Sequence, residues 1–382
     1  MRIVADSSIA RVREAYGDLG DLVLRPGRSI NADDVRDADA LVIRSTTRVN
    51  AELLDGSRVR FVGATVVGTD HMDLEYLNDR GIAHTSAPGS NAVSVREWFA
   101  AAVLLTAGRR GWRLGDKTIG VIGVGNVGGR VARLCDALGM RVLRNDPPRA
   151  RATGDAIYRP IDELFDADII TLHTPLTRTG DDATRHLADA AFFERLKPGV
   201  LFVNAARGGV TDTRALADAL DRGHVADALL DVWEGEPGID ADLVPNVAVA
   251  TAHIAGHSYD GKVRGAEMIR TALCDHFNLD PPWDPWPTMP PPPTPTHAVD
   301  ATGRGDEDVL RDVVLASYDI KADDANLRKI ADAAPDQRAA YFDRLRADYP
   351  VRREFVATSV RAQGASPGLI RKLDALGFTV TE

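Results

Sequence analysis

The sequence predicts an α/β protein: two doubly wound parallel-sheet domains, then a smaller C-terminal α+β unit. Three observations carry that reading. Short apolar runs alternate with amphipathic stretches along most of the first 266 residues, as strand–helix crossovers in a parallel sheet require. A glycine-rich turn, GVGNVG at 123–128, separates an apolar run from an amphipathic one. Nine of the 16 residues from Pro281 to Thr296 are proline, which neither a helix interior nor a central strand tolerates.

In chain order, RIVA near the start, ALVIR at 40–44 and RFVGAT at 60–65 read as buried parallel strands. Between them, ARVREAYGDL at 10–19 and MDLEYLNDRG at 72–81 have helical periodicity, the second closed by Gly81. A helix expected from Asn91 to Ala107 carries Val93, Val95, Trp98, Phe99, Val103 and Leu104. It should be buried on most sides and lead the chain into the second domain. KTIGVIGVGNVGGRVARLCDALG follows as strand, turn and helix. RVLRND at 141–146, ADIITLH at 167–173, GVLFVNA at 199–205, VADALLDV at 225–232 and VAVATAH at 247–253 supply further strands. The proline segment is expected to be an extended polyproline II linker. Beyond it lie helical patterns at 307–317, 324–332 and 336–347, then VRREFVATSV and GFTVTE as strands. The expected domains are therefore 1–94, with 267–280 as a return segment, then 95–266, a linker at 281–296, and 297–382.

The net charge of −10 disfavours non-specific nucleic-acid binding. An anionic ligand must instead meet a local cluster of arginines and backbone N–H groups. Cys135 and Cys274 match no metal spacing and are expected as buried free thiols of a reducing compartment. The start, MRIVADSS, has no apolar leader core, and no apolar run approaches the roughly 18 residues of a membrane span. A cytoplasmic protein without membrane or nucleic-acid partners is expected.

GVGNVG fits the dinucleotide fingerprint, which makes the central domain Rossmann-like. Gly123 permits the tight turn, Gly125 lets the backbone approach a pyrophosphate, and Gly128 allows close helix–strand packing. Asp146, at the end of RVLRND, is the acidic residue expected about 20 positions on. Its carboxylate would bind the ribose hydroxyls and repel a 2′-phosphate, favouring NAD over NADP, although Arg144, Arg149 and Arg151 stand nearby. A glycine-tolerant turn without a ligand is the bland alternative. Thr174-Pro175 and Asp231 fall at carboxyl ends of strands, where ligands collect in such sheets. Isolated residues of these types are more often turn-formers.

His253 is the candidate acid–base group, able to take a hydroxyl proton near neutral pH. A carboxylate against its other ring nitrogen would fix the tautomer. Glu236, in DVWEGEP, is the candidate, and Glu234 is its rival. Arg207, in NAARGGVTD, presents a planar fork suited to a carboxylate, with two glycines allowing close approach. A lone histidine is more often a core or turn residue, and a lone arginine a loop cap. The convergence of all three at strand ends points to hydride chemistry on a hydroxy acid.

The chain resembles the D-2-hydroxyacid dehydrogenase family through ALVIRSTTRVN, FVGATVVGTDHMDL, TSAPGSNAVSV, GVIGVGNVGGRVA, DPPRA, LHTPLT, NAARGGVTD, LDVWEGEP and TAHIAGHSYDGKVRGAEM. Its tail, with YDIKADDANLRKI and FDRLRADYPVRREF, is similar to a C-terminal dimerisation domain that generic members lack. The resemblance implies a homodimer that oxidises 4-phospho-D-erythronate to 2-oxo-3-hydroxy-4-phosphobutanoate with NAD, in pyridoxal 5′-phosphate biosynthesis. It implies catalytic roles for Arg207, Glu236 and His253. It implies cofactor contacts for Asn126, Val127, Asp146, Thr174, Ala205 with Ala206, Arg207, Asp231 and Gly256. On the substrate side it implies Ser45, with Arg44, for the phosphate, and backbone N–H groups around Val67 and Gly68 for the carboxylate. Domain closure would exclude water.

Two positions depart from the family pattern. Val66 stands where a threonine is usual, beside Thr65, and His257 stands where a tyrosine is usual. Both are expected at the substrate, and a valine side chain offers no hydrogen bond. Another 2-hydroxy acid such as 3-phosphoglycerate is therefore a rival substrate. A non-catalytic NAD(H)-responsive regulator is the rival of a different class.

Overall fold

A computed structural model describes residues 1–280 and 282–381. Pro281, in the expected linker, and Glu382, at the end of the expected last strand, lie outside the described residues. The chain forms two compact units: Met1–Ala92 with His257–Pro290, and Val93–Gly256 with Pro291–Glu382.

The first unit is one parallel sheet of β1 (Arg2–Asp6), β2 (Asp21–Arg25), β3 (Ala40–Ile43), β4 (Phe61–Ala64) and β5 (Ala83–Thr85), in the order β2-β1-β3-β4-β5. β1, β3 and β4 are apolar almost throughout, because helices cover both faces of a doubly wound sheet. One face packs Val4, Leu41, Ile43 and Val62 with the short helices. The other packs Ile3, Ala5, Val42 and Phe61 against Ala266, Ile269 and Leu273 of the helix Tyr259–Phe277. Gly63 and Gly265 set how closely that helix lies. A Cβ on Gly63 would stand 2.3 Å from Ile269, and one on Gly265 would stand 2.3 Å from the Thr65 carbonyl oxygen. The whole helix therefore belongs to this unit, and the return segment begins at His257 rather than at 267.

The second unit opens with the helix Ala92–Arg110, buried along almost its full length. The 92/93 division places this helix in the second unit rather than across both. Next come β6 (Thr118–Ile122), β7 (Arg141–Asn145), β8 (Ile169–Leu172), β9 (Val200–Asn204), β10 (Val225–Leu230) and β11 (Val249–Ala250). All are parallel, in the order β11-β10-β9-β8-β6-β7. Beyond β7, a single parallel bridge from Arg144 to Tyr158 stands where a further strand would complete the dinucleotide-binding order. The order reverses between β6 and β8, so their carboxyl ends form the topological switch point.

The C-terminal region adds a three-stranded parallel sheet: β12 (Thr296–Asp300), β13 (Ser359–Gln363) and β14 (Thr379–Thr381). The helices Asp306–Ser317 and Arg338–Ala347 match the expected patterns to within two residues, whereas Ile320–Arg328 starts and ends four residues before the expected 324–332. A fourth helix, Pro367–Leu376, and β12 were not anticipated. VRREFVATSV is strand only from Ser359, and Phe355–Ala357 is a 3₁₀ turn. The proline segment also holds a 3₁₀ turn at Trp286–Thr288. Both cysteines are buried free thiols. Among the described residues no helix is long and apolar enough to cross a membrane.

Candidate active site

The three fingerprint glycines are required for different reasons. Gly123, at the end of β6, has φ +85°, and its Cβ would lie 2.8 Å from the His173 carbonyl carbon and Thr174 nitrogen. A Cβ on Gly128 would stand 1.9 Å from the Gly123 oxygen. Gly125 meets nothing within 4 Å. The fold itself dictates the first and third glycines, whereas nothing in the chain's own packing requires the second. The helix that follows, Gly128–Ala137, takes no side-chain cap from Val127 at its N-terminus, which suits it to phosphate. The Asn126 carbonyl accepts from Arg130 at 2.8 Å, turning the backbone of the fingerprint into the helix.

Asp146 follows β7. Its Oδ2 accepts the Val124 N–H at 2.8 Å and its Oδ1 the Arg149 N–H at 3.1 Å, so the carboxylate sits against the fingerprint turn. Of the three arginines around it, Arg144 pairs with Asp136 and Arg151 with Asp182, while Arg149 approaches Asp146 itself at 3.7 Å. Carboxylates thus engage all three cations. Past β8, the Thr174 Oγ1 and the His173 Nδ1 are buried without a hydrogen-bond partner. Such buried orphans ask for an explanation, and a ligand at the switch point supplies one. Burial pushes the His173 imidazole down to about 3, so it is neutral. The sequence reading missed His173. Its signal was the same LHTPLT segment that supplied Thr174.

The acid–base pair lies past β10 and β11. The His253 Nδ1 and Glu236 Oε2 are 2.7 Å apart, and Glu236 Oε1 accepts the Trp233 N–H at 2.7 Å. Burial alone would raise the Glu236 carboxyl. The His253 charge and hydrogen bond outweigh it and, with the Trp233 N–H and Arg346, hold the group below its ordinary range. A carboxylate acceptor places the imidazole proton on Nδ1 and leaves Nε2 as the basic atom. The rival, Glu234, is engaged elsewhere: its Oε1 meets His186 Nε2 at 2.5 Å and its Oε2 accepts the Thr213 N–H at 3.3 Å. That second histidine–glutamate pair is also absent from the sequence reading.

Asp231 is buried. Its Oδ1 accepts from the Thr251 hydroxyl at 2.6 Å and the Ile254 N–H at 2.8 Å, and its Oδ2 from the Ala255 N–H at 2.9 Å. The carboxylate thereby anchors the segment that carries His253 and ends at half-buried Gly256. Arg207 follows Ala205 and Ala206 beyond β9. Its Nη1 donates to the Ala206 carbonyl at 2.8 Å, and the Ala206 N–H donates to Asn204 at 3.0 Å. A Cβ on Gly208 would stand 1.9 Å from the Trp233 oxygen, so the Arg207 loop lies directly on the Glu236 loop.

In the first unit, half-buried Arg44 and exposed Ser45 follow β3, and half-buried Val66, Val67 and Gly68 follow β4. Both groups occupy carboxyl ends of adjacent strands. The Val66 side chain packs on the apolar core, and its carbonyl accepts the Ala87 N–H at 2.9 Å. Thr65 does not substitute for the missing hydroxyl, because its Oγ1 donates to the Ile43 carbonyl at 3.2 Å. His257 is half-buried, just before the Ser258 N-cap of the return helix.

Residues 84–255 match the NAD binding domain of the D-isomer specific 2-hydroxyacid dehydrogenases, and residues 290–377 match a domain of unknown function. The chain belongs to the D-isomer specific 2-hydroxyacid dehydrogenase family and is an NAD-dependent dehydrogenase. Within that family it is similar along its whole length to proteins named erythronate-4-phosphate dehydrogenase. That of Salinibacter ruber is 45% identical over 98% of this chain and 99% of its own. That of Chromohalobacter salexigens is 43% identical over 100% and 99%. Among solved structures, D-lactate dehydrogenase of Aquifex aeolicus, complexed with NAD and lactic acid, aligns with TM-score 0.58 and 26% identity over 72% of this chain and 95% of that one.

Proposed function

We propose that the chain oxidises 4-phospho-D-erythronate to 2-oxo-3-hydroxy-4-phosphobutanoate, in pyridoxal 5′-phosphate biosynthesis. The observation that carries the chemistry is the His253–Glu236 pair at 2.7 Å, beside the Arg207 loop and in the same unit as the fingerprint. Full-length likeness to the erythronate-4-phosphate dehydrogenases supports the substrate.

Bound NAD supplies the hydride acceptor. The Gly125 backbone and the helix starting at Gly128 hold its pyrophosphate, Asp146 its ribose hydroxyls, and the Thr174 hydroxyl a further polar group. Asn126, Val127, Ala205, Ala206 and Gly256 line the cofactor, and Asp231 acts through the segment it anchors. Arg207 binds the substrate carboxylate, aided by backbone N–H groups at Val67 and Gly68, and polarises the C2 oxygen. His253 Nε2 takes the hydroxyl proton as the C2 hydride departs, leaving a C2 carbonyl. Glu236 balances the imidazolium. Arg44 and Ser45 bind the phosphate. Val66 contributes through its backbone alone, and His257 donates where a tyrosine is usual.

The test is NADH production by purified protein with 4-phospho-D-erythronate against 3-phospho-D-glycerate. A higher kcat/KM on the first supports the assignment, and the reverse order sinks it. We further infer a cytoplasmic homodimer formed through residues 297–382. Val351, Val356 and Ile370 are apolar and 55%, 61% and 37% exposed in that region. A monomeric mass by light scattering rejects the dimer.

A further inference from the structure

We propose that the C-terminal domain is an intrachain brace for the segment 244–256, with Arg352 as the positioning residue for His253. This rests on the reading of His253 as the base.

The segment needs holding. β11 has only two residues and pairs with β10 on one side alone. His253 itself has φ +53°, a left-handed backbone that a non-glycine residue keeps only where the surroundings over-determine it. From the sheet side, Asp231 supplies those constraints: its carbonyl accepts the His253 N–H at 2.6 Å, and its carboxylate holds Thr251, Ile254 and Ala255.

Trp98 and Trp233 hold Thr251 and Arg109 holds the Ala248 carbonyl, and the C-terminal domain adds a further set of grips. Arg328 donates to the Val244 carbonyl at 2.9 Å and the Val247 carbonyl at 2.7 Å. Asp324 fixes that guanidinium through two bonds of 2.8 Å, and its Oδ1 also accepts the Ala250 N–H at 2.8 Å. The edge of β11 is thereby closed by a carboxylate rather than by another strand. Arg352 Nη2 donates to the Ala255 carbonyl at 2.6 Å. The Ala255 residue is thus gripped at its N–H by Asp231 and at its C=O by Arg352, two residues beyond His253. Arg352 is 7% exposed, and its guanidinium lies 4.3 Å from the centre of the Tyr318 ring. Asp323 orders that ring by accepting from the Tyr318 hydroxyl at 2.8 Å and the Tyr349 hydroxyl at 2.7 Å. A buried guanidinium is costly to desolvate. Here its short bond to the catalytic segment gives the cost a purpose.

The experiment compares Arg352→Met and Arg352→Lys with the unaltered chain in turnover, NADH binding and amide hydrogen exchange. Arg352→Met is expected to lower kcat by roughly 10²-fold, the scale of a displaced catalytic group, with NADH affinity within about twofold. Exchange should quicken at 251–256 while β6 and β8 stay protected. Arg352→Lys, which keeps a donor, should recover part of kcat. Full kcat in folded Arg352→Met overturns the proposal. So does a loss of kcat matched by equal losses in NADH affinity and sheet protection, which marks general unfolding. Should Arg352→Met fail to fold, Arg328→Gln must quicken exchange at 247–256, and unchanged exchange there overturns the brace. If the unaltered chain oxidises no 2-hydroxy acid, the functional reading falls, while exchange still decides whether the segment is braced.

Discussion

Two glutamates two residues apart, Glu234 and Glu236, each face a histidine, and only one of those histidines ends the strand region that carries the chemistry. His253→Ala removes the proton acceptor and is expected to cut kcat by roughly 10²–10⁴-fold, with NADH binding retained in a fluorescence titration. Glu236→Ala should also fall mainly in kcat. Glu234→Ala should instead lower the thermal midpoint, because it unties His186 and the Thr213 N–H from the loop that follows Asp231. A larger kcat loss in the Glu234 variant would reverse the two roles. The residue types and their strand-end positions were legible in the sequence. Glu236 was already the candidate partner there, but Glu234 stayed its rival, because which carboxylate faces His253 depends on the loop path rather than on spacing. The family resemblance agreed with Glu236, and the 2.7 Å contact gives the physical reason.

The glycine turn offers a sharper contrast at the scale of an element. Gly128→Ala forces a Cβ into the Gly123 carbonyl, so it should cost roughly 1–3 kcal/mol or more of stability even without cofactor. Gly125→Ala meets nothing in the chain and should leave the cofactor-free melting curve unchanged while weakening NAD binding. Equal destabilisation by the two substitutions contradicts that division. Strands were legible where parallel packing makes them continuously apolar, as in β3, β8 and β9. β12, reading THAVD, was hidden because it directly follows the prolines and only alternates in burial. The helix Pro367–Leu376 was hidden behind a proline that acts as a helix start, with Ser366 as its N-cap. VRREF resisted reading for another reason: Arg352 and Glu354 are charged yet buried, so the pattern of polarity no longer reports the pattern of exposure.

Across the second unit, Glu97 ties the long helix to the C-terminal domain by accepting the Phe355 N–H at 2.8 Å. Burial, and then the neighbouring Glu354, raise its carboxyl well above the ordinary range. A carboxyl raised on folding contributes its full stability below the unfolded value, and that contribution is lost as pH rises through the folded value. Glu97→Gln keeps the acceptor and removes the ionisation. It should flatten the fall of the melting temperature as pH rises above the ordinary carboxylate range, and a steeper fall refutes the assignment. The sequence predicted the separate sheets but not how far the return segment reaches, since that depends on Gly63 and Gly265 letting a distant helix settle on β4. That return has a consequence during synthesis. The ribosome releases Ile3, Val42 and Phe61 long before Ile269 and Leu273, their partners on one face of the first sheet. The nascent first unit must therefore wait, with that face uncovered, while the strands of the dinucleotide-binding sheet emerge, and the second unit in turn is completed only when residues 291–382 follow.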